Sequence, residues 1–165
     1  MKLQLFISFV LLFLFGCGVY SFTGSSVPPH LKTIGVPLFD DQSGFGQPNV
    51  REQFTNKIIE KIVADNSLLI TEKNIADAIL EGTITKVVNE VAVVNPGETV
   101  THKKITITVA VSMMDKVMKK KMWERNFSGW GNYEIGTGVP LMQNGIKEAM
   151  EKITDDIVLA VISNW

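Results

Sequence analysis

"TVTHKKITITVAVSMM", Thr99–Met114, alternates over most of its length. Ile105, Ile107, Val109, Val111 and Met113 fall on one side of an extended chain, and Thr106, Thr108, Ala110 and Ser112 on the other. A period of two with one apolar side is the pattern of a half-buried antiparallel strand. Such a strand needs neighbours to pair with and a layer to cover its apolar face. The flanking sequence supplies the neighbours. Asn95-Pro96-Gly97-Glu98 breaks the chain in hairpin-like fashion, and the long run Ala78–Val94 before it reads as a strand. "DKVMKKK", Asp115–Lys121, makes the next turn, and Met122–Tyr133 reads as the last strand.

Farther out lie the covering helices. Asn49–Asn66 carries Val50, Phe54, Ile58 and Ile62 at a spacing of four, with Ile59 and Val63 widening the stripe. Asn49 is expected at the N-cap and Asn66 at the stop. Lys57, Glu60 and Lys61 lie off the stripe. Pro140 suits the first turn of a second helix, whose apolar face holds Met142, Ile146, Ala149, Met150, Ile153, Ile157 and Val161. Lys147–Glu151 and Glu148–Lys152 form i,i+4 pairs on its wet side. Near the start, "KTIGVPLF", Lys32–Phe39, reads as a strand in which Pro37 demands an edge or a strand end. Asp40–Pro48 reads as a loop and Leu68–Glu72 as a short strand. The expected class is α+β: a single domain over residues 31–165, with two helices packed on one face of a mostly antiparallel four-stranded sheet.

Residues 1–30 are of another kind. Lys2 precedes an apolar run, Leu3–Phe15, interrupted only by Gln4 and Ser8. That is the layout of an export signal, and it is shorter than the roughly 20 apolar residues of a spanning helix. It closes on Leu14-Phe15-Gly16-Cys17, which resembles the lipobox of bacterial lipoproteins, although Phe15 is bulkier than usual. The resemblance implies that residues 1–16 are a signal peptide, removed once the Cys17 thiol has received its diacylglycerol. The new amino terminus is then acylated, as with palmitate. Residues 17–30 become a lipidated tether, rich in Ser and Gly and ending in Pro28-Pro29. Multiple acyl chains anchor stably, at about 0.8 kcal/mol per buried CH₂. Gly18 stands where an aspartate would retain an enteric lipoprotein at the inner membrane. The implied address is the periplasmic side of a Gram-negative outer membrane.

Composition removes other classes. The chain has 16 basic and 17 acidic side chains, and loss of Lys2 leaves the mature protein weakly acidic. No basic field argues for nucleic acid. One cysteine cannot form an internal disulfide. His30 and His102 have no partners at metal-ligand spacing. Asp40-Asp41 fits a solvated turn, and Gly44 and Gly46 precede no Lys-Ser/Thr of a phosphate loop. With no convergent acid, base and nucleophile, and no cofactor motif, the chain reads as a non-enzyme.

Two candidate binding features remain. Lys116, Lys119, Lys120 and Lys121 crowd one turn, where ammonium groups would meet phosphates; a charged turn is also what solvation alone produces. Trp123, Phe127, Trp130 and Tyr133 lie on one strand, facing either the core or a partner.

"GCGVYSFTGSSVPPHLKTIGVPLFDDQS" (Gly16–Ser43), "ADAILEGTI" (Ala76–Ile84), "ITITVAVSMMD" (Ile105–Asp115) and "WERNFSGWGNY" (Trp123–Tyr133) together resemble the LPS-assembly lipoprotein family, LptE. Val19 between Gly18 and Tyr20, and a last hairpin without glycine, depart from its usual pattern. The resemblance implies a protein that plugs and helps assemble the LptD β-barrel and assists lipopolysaccharide transport to the outer leaflet. The four lysines would then contact lipopolysaccharide, and the aromatic strand would contact the barrel. A second class stays open: an outer-membrane lipoprotein assisting assembly of a secretion pore or other envelope complex.

Overall fold

The computed structural model describes residues 27–91, 102–135 and 139–163. The elements are β1 (Thr33–Gly35), β2 (Asp40–Asp41), α1 (Val50–Asp65), β3 (Leu69–Ile70), β4 (Ala78–Val91), β5 (His102–Asp115), β6 (Lys120–Glu134) and α2 (Val139–Ser163). The hairpin expected at Asn95–Glu98 lies outside the described residues.

The sheet corrects the expected architecture. It has six strands, not four, in the order β3-β1-β4-β5-β6, with β2 also on β4. β4, β5 and β6 form an antiparallel meander. The pairs β1–β3, β1–β4 and β2–β4 are parallel, so the sheet is mixed. The physical cause sits in "KTIGVPLF". Proline has no N–H to give a ladder, and β1 stops at Gly35, two residues before Pro37. The chain rejoins β4 farther along, at Asp40 and Asp41, which are therefore strand and not loop. It then runs through α1 and returns to β1 as β3, and a helical crossover of this kind makes parallel neighbours.

β5 behaves as its alternation requires. Ile105, Ile107, Val109, Val111 and Met113 are each at most 1 % exposed. Thr106, Thr108, Ala110 and Ser112 on the opposite face are half-buried. α2 covers the apolar face with Ile146, Ala149, Met150, Ile153, Ile157 and Val161, all buried. α1 adds Val50, Phe54, Ile58 and Ile62. The expected widening of its stripe fails at Val63, which is 58 % exposed. Asn49 and Asn66 bracket α1, both left-handed, with φ of 62° and 60°. Asn49 makes no side-chain cap, contrary to expectation. Asn66 closes the helix by donating its N–H to the Ile62 carbonyl at 3.1 Å.

Glycine sets how closely the layers approach. A Cβ on Gly129 would lie 2.7 Å from the Ala149 carbonyl oxygen, and one on Gly131 would overlap the Gly145 carbonyl. A Cβ on Gly82 would collide with the Phe39 ring. On the helix side, a Cβ on Gly145 would meet Ile105 and Tyr133, each at 3.1 Å. Replacing Gly131 with Ala therefore forces α2 off β6. We expect Gly131→Ala to lower stability by about 1–3 kcal/mol or more, the range for overpacked sites, measured by urea unfolding. An unchanged midpoint would show that the helix does not sit this close.

Candidate functional site

One end of the sheet gathers a connected set of polar constraints. Asp115 ends β5 with its side chain 3 % exposed. Its Oδ1 accepts the Met118 N–H at 2.8 Å, and its Oδ2 lies 2.6 Å from His30 Nε2. The Lys116 N–H donates to the Asp77 carbonyl at 2.8 Å. Asp77 Oδ2 accepts from the Lys32 N–H at 2.9 Å, the Thr33 N–H at 3.0 Å and the Thr33 hydroxyl at 2.9 Å. Residues 30–33, the approach to β4 and the β5–β6 turn are thus one hydrogen-bonded unit. Burial acts to raise Asp115, but the N–H of Met118, His30 and the N–H of Val117 outweigh it, and its carboxyl is held below the ordinary value. The Lys32 N–H, with the hydroxyl and N–H of Thr33, lowers Asp77 in the same direction.

The four lysines of the turn separate by role. Lys116 Nζ donates to the carbonyls of Lys73 and Asn74, both at 2.8 Å. Lys121 pairs with Glu124 at 2.5 Å. Lys119, with φ of 52°, and Lys120 are exposed and meet no carboxylate among the described residues. Only these two present their charge fully to the outside.

The four aromatics separate as well. On β6, Trp123, Phe127 and Tyr133 share parity and lie on the helix-covered side. Trp123 is buried and meets Phe127 edge-on at 6.1 Å. Tyr133 donates its hydroxyl to Asn89 Oδ1 at 2.8 Å. Trp130 has the opposite parity and is 46 % exposed. Lys152 Nζ stands 3.7 Å from the centre of its ring and donates to its carbonyl at 3.0 Å. Glu148 completes the group, pairing with Lys152 at 2.8 Å and accepting the Asn132 N–H at 3.1 Å. α2 thereby satisfies part of the free edge of β6. The expected Lys147–Glu151 pair is replaced by bonds across the helices: Glu151 takes Lys61 at 2.6 Å and Lys57 at 3.4 Å.

Sequence reasoning missed the His30–Asp115 pair. The partners are 85 residues apart, and no local pattern joins them. Asp40 and Asp41 are exposed strand residues, and Asp41 Oδ1 accepts the Ser43 N–H at 2.9 Å. Cys17 lies outside the described residues. Among the described residues no group of three or more His, Cys, Asp or Glu is placed to hold a metal ion. No helix among them is long and apolar enough to cross a membrane.

Among the described residues this arrangement offers a scaffold with a charged tip and no convergent set of reacting groups, a small lipoprotein-type domain. Comparison with known families makes it specific: the model of the LptE family, described as lipopolysaccharide-assembly, matches residues 31–161. The chain belongs to the LptE family, and it is not an enzyme. It is a membrane-associated lipoprotein of the bacterial envelope. No curated protein sequence matches it. Among solved structures it is similar to the hypothetical protein CT253 from Chlamydia trachomatis, at 12% identity and a TM-score of 0.58, over 79% of this chain and 95% of that one. Protein XCC0632 from Xanthomonas campestris is similar at 11% identity and 0.58, over 81% and 88%. The PelC dodecamer from Paraburkholderia phytofirmans follows at 12% and 0.52, over 84% and 94%. At these identities the likeness is one of fold.

The paired carboxyls of this unit and of α2 set a pH response. The carboxyls of Asp115, Asp77, Glu148 and Glu151 are all held below their ordinary values in the folded chain. Their contribution is complete above the unfolded values, 3.8 for Asp and 4.5 for Glu, and is lost as pH falls through the folded ones. We expect stability to drop below about pH 4.5. Asp115→Asn should cost about 1–3 kcal/mol at neutral pH and make the acid fall shallower. Urea unfolding at a series of pH values reads both, and parallel curves for parent and variant would count against this role for Asp115.

Proposed function

We propose that this chain is an outer-membrane lipoprotein, anchored on the periplasmic side through acylated Cys17. It plugs the lumen of an LptD-type β-barrel, assists its folding, and helps pass lipopolysaccharide to the outer leaflet. The observation that carries this reading is the family match over residues 31–161, which takes in every strand and nearly all of both helices. Leu14-Phe15-Gly16-Cys17 at the end of the apolar run supports the anchor. A second reading, assembly of a secretion pore or other envelope complex, draws on PelC, which shares the fold and forms a dodecamer.

Affinity capture of the chain from detergent-solubilised membranes separates the two. A large β-barrel should co-purify, and intact mass should place an acylated Cys17 at the amino terminus. A closed ring of the chain's own copies, or an unmodified terminus elsewhere, would reject the corresponding half of the proposal.

For lipopolysaccharide contact, Lys119 and Lys120 are the residues free to act. Lys119→Asn with Lys120→Gln should weaken binding to purified lipopolysaccharide, most at low salt, because the lost contacts are charge-assisted and screened. Stability should move by less than about 0.5 kcal/mol per site. Lys116→Gln should behave differently and destabilise by about 1 kcal/mol, because two carbonyls lose their donor. Binding that is indifferent to Lys119 and Lys120 would leave the turn as merely solvated.

A further inference from the structure

We propose that the end of the domain built from the β5–β6 turn and the approach to β4 is a bilayer-contacting surface. It seats on anionic phospholipid headgroups, with apolar side chains entering the interface and Lys119 and Lys120 against the phosphates. This goes beyond lipopolysaccharide assembly, and it rests on the Cys17 anchor of the proposed function.

The first observation is exposed apolar surface gathered at one place. Ile75 is 72 % and Met118 65 % exposed, and Val117, Met114 and Leu69 are exposed beside them. Their proximity is fixed by bonds already described. Lys116 holds the carbonyls of Lys73 and Asn74, which brings Ile75 to the turn carrying Val117 and Met118. Met114, next to last in β5, is opposite Lys121. Leu69 is in register with Thr33, which is bonded to Asp77. A gathered set of exposed apolar side chains marks an interaction surface.

The second observation is charge. Lys119 and Lys120 flank the apolar tip with no carboxylate partner among the described residues, and Lys116 adds a third cation beside them. Apolar side chains with adjoining lysines are the composition that binds the interface of an anionic membrane.

The third observation chooses the occupant. His30 is pinned to Asp115 at this same turn, which places the start of the described chain at this end of the domain. From Val27 to Cys17 is ten residues, which span at most about 35 Å when fully extended. An anchor at Cys17 thus holds this end, rather than the opposite one, toward the bilayer.

The test uses the lipidated full chain, extracted from membranes and reconstituted. A bimane label is placed at Met118→Cys, or at Lys147→Cys near the opposite end of β6. Vesicles contain phosphatidylglycerol with spin-labelled acyl chains as quencher. We expect strong quenching at position 118 and little at 147. The signal at 118 should fall by roughly half when Lys119→Asn and Lys120→Gln are added, or when phosphatidylcholine replaces the anionic lipid. Circular dichroism melts confirm that each variant is folded. Absence of quenching at 118 overturns the proposal. So does quenching that requires added lipopolysaccharide, which would make the tip a glycolipid site. So does burial of the label only when a β-barrel partner is added, which would make it a protein interface. The parent chain serves as a separate control. If it takes up dye at Cys17, the anchor reading fails, and quenching is then read on Cys17→Ser with Met118→Cys, which carries dye at 118 alone and still decides whether the tip meets the bilayer.

Discussion

The backbone-to-backbone approach of α2 to β6 governs the rest of the molecule. Gly129 and Gly131 on the strand, with Gly145 on the helix, remove the Cβ atoms that would hold the layers apart. With the helix that close, Ile146, Ile153 and Ile157 reach the row of β5 side chains and exclude water from it. Full burial of each aliphatic side chain contributes about 1.5–3 kcal/mol, so a shift of α2 would cost several such terms at once. The same closeness brings Glu148 and Lys152 to the backbone of Asn132 and Trp130. It also sets α2 where Lys57 and Lys61 of α1 can reach Glu151. Core, sheet edge and helix pairing follow from one contact.

How far the sequence discloses the fold depends on whether a feature is local. The β4–β5–β6 meander and both helices repeat a simple period over many residues, and such periods survive reading without a structure. Short strands survive less well. Lys32–Phe39 and Leu68–Glu72 read as strands and contain β1 and β3, but at three and two residues these are too short to disclose their partners or direction. β2, two residues within a stretch that reads as a loop, gives no signal of its own. Pairing is a tertiary fact, so β2 and the parallel half of the sheet were hidden. Only Pro37 hinted that "KTIGVPLF" would not remain one strand.

The candidate sites show the same division. Strand parity alone separates Trp130 from Trp123, Phe127 and Tyr133, so that partition was available from spacing. The division among the lysines was not. Lys116 and Lys121 look like Lys119 and Lys120 in sequence, yet carbonyls and Glu124 occupy the first two. The cluster is best understood as two anchoring lysines and two outward ones. His30 likewise reads as a linker residue until Asp115 is seen beside it.

That long separation bears on how the chain acquires its structure during synthesis. His30 emerges early and must wait for Asp115, 85 residues later. β1 must wait for Ala78, its partner in register with Ile34. Contacts between distant residues close slowly, and the one earlier partner of β1 among the described strands, β3, is only two residues long. The first part of the domain to appear is thus the last able to settle. The contacts that fix the start of the domain therefore close only after most of the chain has been made.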